Sequence, residues 1–418
     1  MLKSLAGKYK NTKHLLSTVK ETIRAGYPAR RLKVIGVTGT DGKTTTCHLI
    51  YHILKSSGKK VALLSTVAAY IGDKVIDTGF HTTTPDAKHL QPLIKQVADS
   101  GMEYLVLETT SHGLDQHRVL GTNFLMGVLT NVTQDHFDYH KNFENYRKAK
   151  AKLFKNVKYA VLNKDDKSFE YFKDSLKRNT NLASYALNPG GTLVAKNIII
   201  GPGGMEFTIV DHGQIYKVKT SLIGKYNASN ILASIVAARF VQVEWKDILS
   251  ALESFKGVEG RMDIVPSNKN FTTIVDFAHT PNSLENVLQT LLDIKPKNGR
   301  IICVFGCASK RDVEKRPIMG AISVRLADVS IITAEDPRRE DPNKIIEEIA
   351  EGASKINPAH EVLLREPDRR KAIQLAVGLA KKDDIIIICG KGHEKSMNIG
   401  GKELPWSDKK EALAALSS

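Results

Sequence analysis

Lys43, Thr44 and Thr45 stand directly behind two glycines, Gly39 and Gly42, with Thr40 and Asp41 between them. Glycines let backbone N–H groups turn toward a phosphate, and a helix N-terminus adds partial positive charge there. A lysine at this place reaches terminal phosphates, and the hydroxyl of Thr44 or Thr45 ligates Mg²⁺. The general phosphate-loop spacing asks for a glycine where Val37 stands. The shorter form Gly-Thr-x-Gly-Lys-Thr is met. A bare strand-to-helix turn is the competing reading, and it leaves Lys43 and Thr44 without a role.

Other chemistry-bearing residues follow apolar runs in the same way. Glu108 ends one run and precedes Thr109, Thr110, Ser111 and His112. A carboxylate at the C-terminal end of a parallel strand lies where open α/β sheets bind ligands, and beside a phosphate loop it suits Mg²⁺. A helix N-cap is its alternative role. Segment 131–140 holds Asn131, Asp135, His136, Asp138 and His140 in one loop. Asp276 and His279 follow a later run and suit ribose hydroxyls and a base pocket. Lys310, Arg311, Lys315 and Arg316 form a cationic stretch, and Asp336, Arg338 and Arg339 another. Arginines there could grip a carboxylate with two parallel hydrogen bonds, or could simply be solvated loop charge.

The elements that must position these residues are short apolar strands with helical patterns between them. Strands are expected at 34–37, 61–64, 104–107, 125–129 and 159–162, and a helix at 44–55 follows the glycine loop. Segment 192–222 carries turn residues between alternating runs and predicts antiparallel hairpins. A helix at 226–240 follows. A second alternating series has strands at 272–276, 300–305, 329–333 and 384–389, with helices at 283–292, 315–326, 343–356 and 369–381. The expected fold class is α/β: a phosphate-loop domain with a mainly parallel sheet plus a small antiparallel sheet, then a Rossmann-like α/β domain. The expected division is a short extension at 1–33, a central domain at 34–257 and a C-terminal domain at 258–418.

At 418 residues the chain has room for two or three domains. It carries 61 Lys and Arg against 45 Asp and Glu, a net charge of +16. That raises nucleic acid as a partner, but the cations are dispersed and no zinc-finger or RNA-binding aromatic motif accompanies them. No apolar run is long enough to span a bilayer, and the N-terminus has no signal-peptide core, so a cytoplasmic location is expected. The four cysteines are expected to be buried thiols. Cys303 and Cys307 lack the second pair or nearby His that a metal site needs.

Taken in order, segments 39–45, 82–86, 108–118, 131–140, 146–150, 222–230, 259–262, 276–281, 335–338 and 390–394 resemble the Mur ligases. These are ATP-dependent peptide synthases of peptidoglycan precursors, and the nearest class is the UDP-N-acetylmuramoyl-tripeptide synthetases. The resemblance implies ATP and Mg²⁺ as cofactors. Gly39, Thr40, Asp41, Gly42, Lys43, Thr44 and Thr45 would hold phosphates. Glu108 and His136 would serve the metal, with Thr44 and with Lys150 as a carbamate. Thr83, Thr84, Thr110, Ser111, Gln116 and Arg118 fall on muramoyl-peptide positions. Asn227, Asn230, Arg261, Asp276 and His279 fall on nucleotide contacts. Arg311, Asp336, Arg338, Gly390 and Glu394 fall on the pocket for the incoming amino acid, meso-diaminopimelate or L-lysine. The partners implied are small molecules, the UDP-linked acceptor and a diamino acid, with no nucleic acid, no membrane span and a monomeric enzyme.

The pattern departs from the family in two places. The phosphate loop begins at Gly36, so the usual N-terminal uridine-binding domain is expected to be missing. Asp336 stands where diaminopimelate-adding enzymes typically carry Asn. The first departure makes a related amide ligase with a non-uridine acceptor the rival reading, folylpolyglutamate-like or cyanophycin-like. A non-catalytic ATP-binding partner is a further alternative.

Overall fold

The computed structural model describes residues 2–77, 83–201, 203–309, 312–356 and 362–417, with the side chains of 2–11 left aside. Eleven strands form one sheet. At its centre Lys33–Thr38 pairs in parallel with Tyr104–Glu108 on one side and Phe124–Leu129 on the other. Val61–Leu64 extends the parallel set one way. Tyr159–Asn163, Asn181–Ala186 and Leu193–Gly201 extend it the other way. Each end finishes antiparallel, through Ala69–Ile71 and Lys74–Ile76, and through Gly204–Asp211 and Gln214–Thr220. The hairpin region expected at 192–222 is therefore continuous with the parallel sheet. It joins through the short pairing of Tyr185 and Ala186 with Leu193 and Val194.

The central strands are apolar on both faces because helices cover both. Ile35, Val37, Val106 and Val128 pack toward helices Lys43–Ser56, Lys225–Phe240 and Trp245–Ser254. Val34, Leu105, Leu107 and Leu129 face the other way, toward Leu90, Ile94 and Val97 of helix Ala87–Asp99. Leu49 is wholly buried in the first layer. Its truncation to Ala would cost about 2–5 kcal/mol.

The second sheet has six strands, in the order Asp263–Val265, Thr272–Asp276, Ile385–Cys389, Ile301–Phe305, Val329–Ile332, Leu363–Arg365. All pairings are parallel except the first. Helices Pro281–Ile294, Lys315–Leu326 and Pro342–Ile356 build one face, and Arg369–Leu379 with Asp408–Ser417 the other. All four cysteines are buried and unpaired. A helix at Leu2–Arg24 adds an element that the sequence pattern did not predict. Both sheets present the C-terminal ends of their parallel strands to the site.

Candidate functional site

The glycine loop is clamped from behind by the segment after Phe124–Leu129. Thr130 Oγ1 donates to Asp41 O (2.6 Å), Asn131 Oδ1 accepts from Asp41 N (2.9 Å), and Thr133 N donates to Thr40 Oγ1 (2.9 Å). Gly42 has φ +79, and a Cβ there would stand 2.3 Å from Asn230 Oδ1, so both backbone and space require glycine. Lys43 opens the helix and folds its ammonium onto the carbonyls of Gly39 (3.1 Å) and Thr40 (2.7 Å). Thr45 is buried one residue beyond Thr44.

From Thr44 a hydrogen-bonded row runs outward. Arg261 Nη2 donates to Thr44 Oγ1 (3.1 Å), which donates to Glu108 Oε1 (3.0 Å); Glu108 Oε2 accepts from Thr66 N (3.0 Å). Thr66 Oγ1 donates to Thr83 Oγ1 (2.9 Å). Thr84 Oγ1 donates to Glu108 O (3.2 Å) and accepts from Thr110 N (2.9 Å). Arg118 donates to Thr84 O (2.7 Å) and Gln116 Oε1 (2.7 Å) and pairs with Asp86 (3.1 Å). The phosphate loop and the residues read as acceptor-binding thus form one connected row. Ser111 stands apart from it, with its hydroxyl on His140 Nε2 (3.0 Å).

The 131–140 segment is divided in space. Asn131 holds the loop, His140 meets Ser111, and His136 pairs with Asp135 at 3.2 Å. Burial drives the His136 pKa down to about 3, against the pull of Asp135, so its ring is neutral near pH 7. Burial also raises the Asp135 carboxyl, but His136, His279, Lys315 and Lys43 outweigh it and bring the pKa to about 2. His136 has φ 56, a left-handed backbone that is strained for histidine. Lys150 is buried beneath the loop, with Nζ 2.5 Å from Gly39 O and 4.3 Å from the Tyr146 ring centre. Burial, then the Lys43 charge, pushes its pKa well below the ordinary range.

The second sheet closes the site. Arg261 lies over the Phe277 ring at 4.3 Å. Asp276 accepts from the backbone N–H of Met262 and Ala278, each at 2.7 Å. His279 bonds Phe277 O through Nδ1 (2.9 Å), and burial followed by the Lys315 charge lowers its pKa to about 3. Asp41 joins the two sheets: Asn282 Nδ2 donates to one oxygen (2.6 Å) and Thr280 Oγ1 to the other (3.3 Å). Asn230 Nδ2 donates to Asn227 Oδ1 (3.1 Å) on the helix behind the loop. These groups line one cavity of about 600 Å³ that runs from Lys43, Thr44 and Glu108 past Thr83 and Thr110 to Asp276, His279 and Glu394.

Asp336, Arg338, Gly390 and Glu394 gather in a neighbouring pair of loops. Lys391 Nζ donates to Asp336 Oδ1 (2.8 Å) and pairs with Glu394, and Asn398 N donates to the same Asp336 oxygen (3.0 Å). Arg338 has φ 51, and its Nε is buried without a partner. Such an orphaned donor is open to a ligand acceptor. Arg311, with Lys310 and Thr82, lies outside the described residues. Among the described residues no three His, Cys, Asp or Glu side chains converge as a metal site, and no helix is long and apolar enough to cross a membrane.

Sequence reasoning gave no role to Asn282 or Lys391, and named Lys315 only as one of a stretch of cations. Lys391 stands inside the motif at 390–394, and Asn282 directly follows the one at 276–281, so the signals were adjacent. Asp135 stood in a named motif without a role.

A phosphate-loop sheet closed by a second α/β sheet over a shared cavity defines a nucleotide-site α/β protein. Residues 37–238 match the Mur ligase middle domain, and 260–392 match the Mur ligase glutamate ligase domain. The UDP-N-acetylmuramoyl-L-alanyl-D-glutamate–2,6-diaminopimelate ligase 1 of Clostridium acetobutylicum is 41% identical over 385 residues, 91% of this chain and 77% of that protein. A solved structure of a ligase of that name superposes with a TM-score of 0.64 at 31% identity, over 92% of this chain and 78% of its own. Mycobacterium tuberculosis folylpolyglutamate synthase shares the fold, with a TM-score of 0.73 at 17% identity, over 90% and 92% of the two chains. The chain belongs to the Mur ligase family.

Proposed function

We propose that this chain is an ATP-dependent amide ligase that adds meso-diaminopimelate to UDP-N-acetylmuramoyl-L-alanyl-D-glutamate. The observation that carries the reading is the hydrogen-bonded row from Thr44, next to Lys43, through Glu108 and Thr66 to Thr83, with Thr84 and Thr110 joined to it at the Glu108 carbonyl. Such a row would set a nucleotide's terminal phosphate beside an acceptor's carboxylate, and Lys43, Thr44, Glu108, Thr83 and Thr110 line one cavity. The named activity of the relatives supports the choice of substrates. A division into an extension at 1–33, a central domain at 34–257 and a C-terminal domain at 258–418 belongs to the same reading. So do a cytoplasmic setting, where nucleotide-linked substrates are made, and a monomeric enzyme.

The residues fit the expected cofactors. Lys43 and the N-terminus of its helix favour anionic phosphate. The Thr44 hydroxyl and the Glu108 carboxylate are hard oxygen donors that suit Mg²⁺, and they, with His136 and with Lys150 as an anionic carbamate, would hold it. Bound magnesium would neutralise phosphate charge. Burial pushes the Lys150 pKa well below the ordinary lysine range and so favours the uncharged amine, the form that adds CO₂ to give a carbamate and a proton.

The acceptor carboxylate attacks the terminal phosphorus, ADP leaves, and an acyl phosphate forms. The amine of the amino acid then attacks the acyl carbon through a tetrahedral intermediate, and phosphate leaves. Lys43 and Arg261 stabilise the spread phosphoryl charge, and the Thr83, Thr84, Thr110, Gln116 and Arg118 group orients the acceptor. Asp41 draws the second sheet over the site and excludes water that would hydrolyse the acyl phosphate. Phosphate release should be measured across acceptors with and without uridine diphosphate and across amino acids. Turnover with the UDP-linked dipeptide and meso-diaminopimelate is expected; turnover with a folate or cyanophycin acceptor alone would overturn the reading.

A further inference from the structure

The two loops assigned to the incoming amino acid, 335–338 and 390–394, leave the ends of strands Val329–Ile332 and Ile385–Cys389. The inference below rests on that assignment. Those strands are not neighbours, because Ile301–Phe305 runs between them. No sheet hydrogen bond therefore fixes one loop against the other.

One buried guanidinium spans the gap. Arg369 Nη1 donates to Ala334 O (3.2 Å) and Nη2 to Cys389 O (2.8 Å), the last carbonyls before the two loops. The same side chain forks onto Asp408, Nε to Oδ1 at 2.8 Å and Nη2 to Oδ2 at 2.7 Å. Both side chains are wholly buried. Trp406 Nε1 donates to the same Asp408 oxygen as Nε (2.9 Å) and helps fix the plane of the fork. Beyond the guanidinium the loops meet directly, through Lys391 on Asp336 and through Gly390, where a Cβ would stand 3.2 Å from Glu335 Cγ.

A buried ion pair is a weak source of stability, and well-packed apolar residues often serve as well. A staple for helix Asp408–Ser417 would also need no contact with the two strand-exit carbonyls. We propose that Arg369, held by Asp408, is a positioning residue that sets the spacing of the two loops and so the fit of the incoming amino acid. A planar fork can satisfy two carbonyls and a carboxylate together, whereas a lysine ammonium cannot hold that geometry.

The test compares the wild type with Arg369→Lys and with the double variant Arg369→Met/Asp408→Leu, which leaves no unpaired buried charge. Two readouts are taken: KM for meso-diaminopimelate and for ATP, and amide hydrogen exchange at 335–338 and 390–394. Both variants should raise the amino-acid KM about tenfold or more, leave the ATP KM within about twofold, and speed exchange in both loops. Arg369→Lys carries the test should the double variant not fold. Wild-type amino-acid KM and unchanged exchange in a folded variant would overturn the proposal and leave the pair a staple. If the wild type shows no amino-acid-dependent turnover, the functional reading fails, and the exchange comparison still decides whether Arg369 positions the loops.

Discussion

The phosphate-loop end of the first sheet and the loop pair at the end of the second are built in opposite ways. The first starts from a local turn: Gly39 to Thr45 follow one strand and open one helix, and distant segments, 130–133 and Arg261, brace a geometry that the turn already sets. The second is assembled from a distance. Asp336 and Lys391 meet across 55 residues, and Arg369 meets Asp408 across 39. A local site keeps its shape when a side chain is cut and loses its chemistry. A site assembled by side chains loses shape first, and with it the choice of substrate.

Lys43→Ala should mark the local extreme. Loss of a charge aimed at a phosphoryl transition state should cut ATP turnover by roughly a hundredfold or more while the melting temperature stays near wild type. Near-wild-type turnover would break the ATP assignment. Lys150→Ala should come next. A carbamate role predicts a folded enzyme with roughly a hundredfold less activity, partly restored by added short carboxylic acids. Full activity without rescue would remove the carbamate.

Arg338→Ala tests the assembled site and should change selectivity more than rate. The distal carboxylate of meso-diaminopimelate would pair with this guanidinium, and lysine has no such group. Asp336 favours an ammonium instead, but it is already engaged by Lys391 and the backbone of Asn398. The wild type should prefer meso-diaminopimelate in kcat/KM, and the variant should narrow that preference on the order of tenfold. An unchanged ratio would move lysine forward as the substrate.

A separate effect is on stability, and it concerns the seam between the two regions. Burial, followed by the Arg261 charge, holds His48 and His393 neutral with pKa values of about 3, and His279 sits at about 3 through burial and then Lys315. The unfolded chain takes up these protons below an ordinary value of 6.5, and the fold does not until about 3. Their contribution to stability is therefore complete above pH 6.5 and is lost progressively as pH falls toward 3. Melting at pH 7.5 and pH 5 should show the lower midpoint at pH 5. Equal midpoints would contradict the buried, neutral histidines.

The same contrast explains what the sequence disclosed. The parallel strands were legible because each is a short apolar run buried on both faces, and 61–64, 272–276 and the helix at 315–326 fall where expected. The phosphate loop follows a strand, Glu108 ends one, and the 131–140 segment holding His136 begins two residues after another, which made all three stand out in the sequence. Helix Leu2–Arg24 was not, because its described part reverses the usual pattern. It buries Thr18 and Thr22 and exposes Leu16, Val19 and Ile23. The antiparallel strand Lys402–Pro405 was missed because it is short and wholly exposed. The Arg369–Asp408 fork left no trace in spacing, since its partners lie on separate helices whose packing only the fold sets.

The central claim is that acceptor carboxylate and ATP phosphate meet in the cavity between the sheets to form an acyl phosphate. The most direct test supplies UDP-N-acetylmuramoyl-L-alanyl-D-glutamate labelled with ¹⁸O in its terminal carboxylate, together with ATP and meso-diaminopimelate. Mass spectrometry then reads the phosphate released. Transfer of one ¹⁸O into each phosphate, dependent on all three substrates, is the predicted result. Unlabelled phosphate would mean that water attacks ATP directly, and would contradict the account.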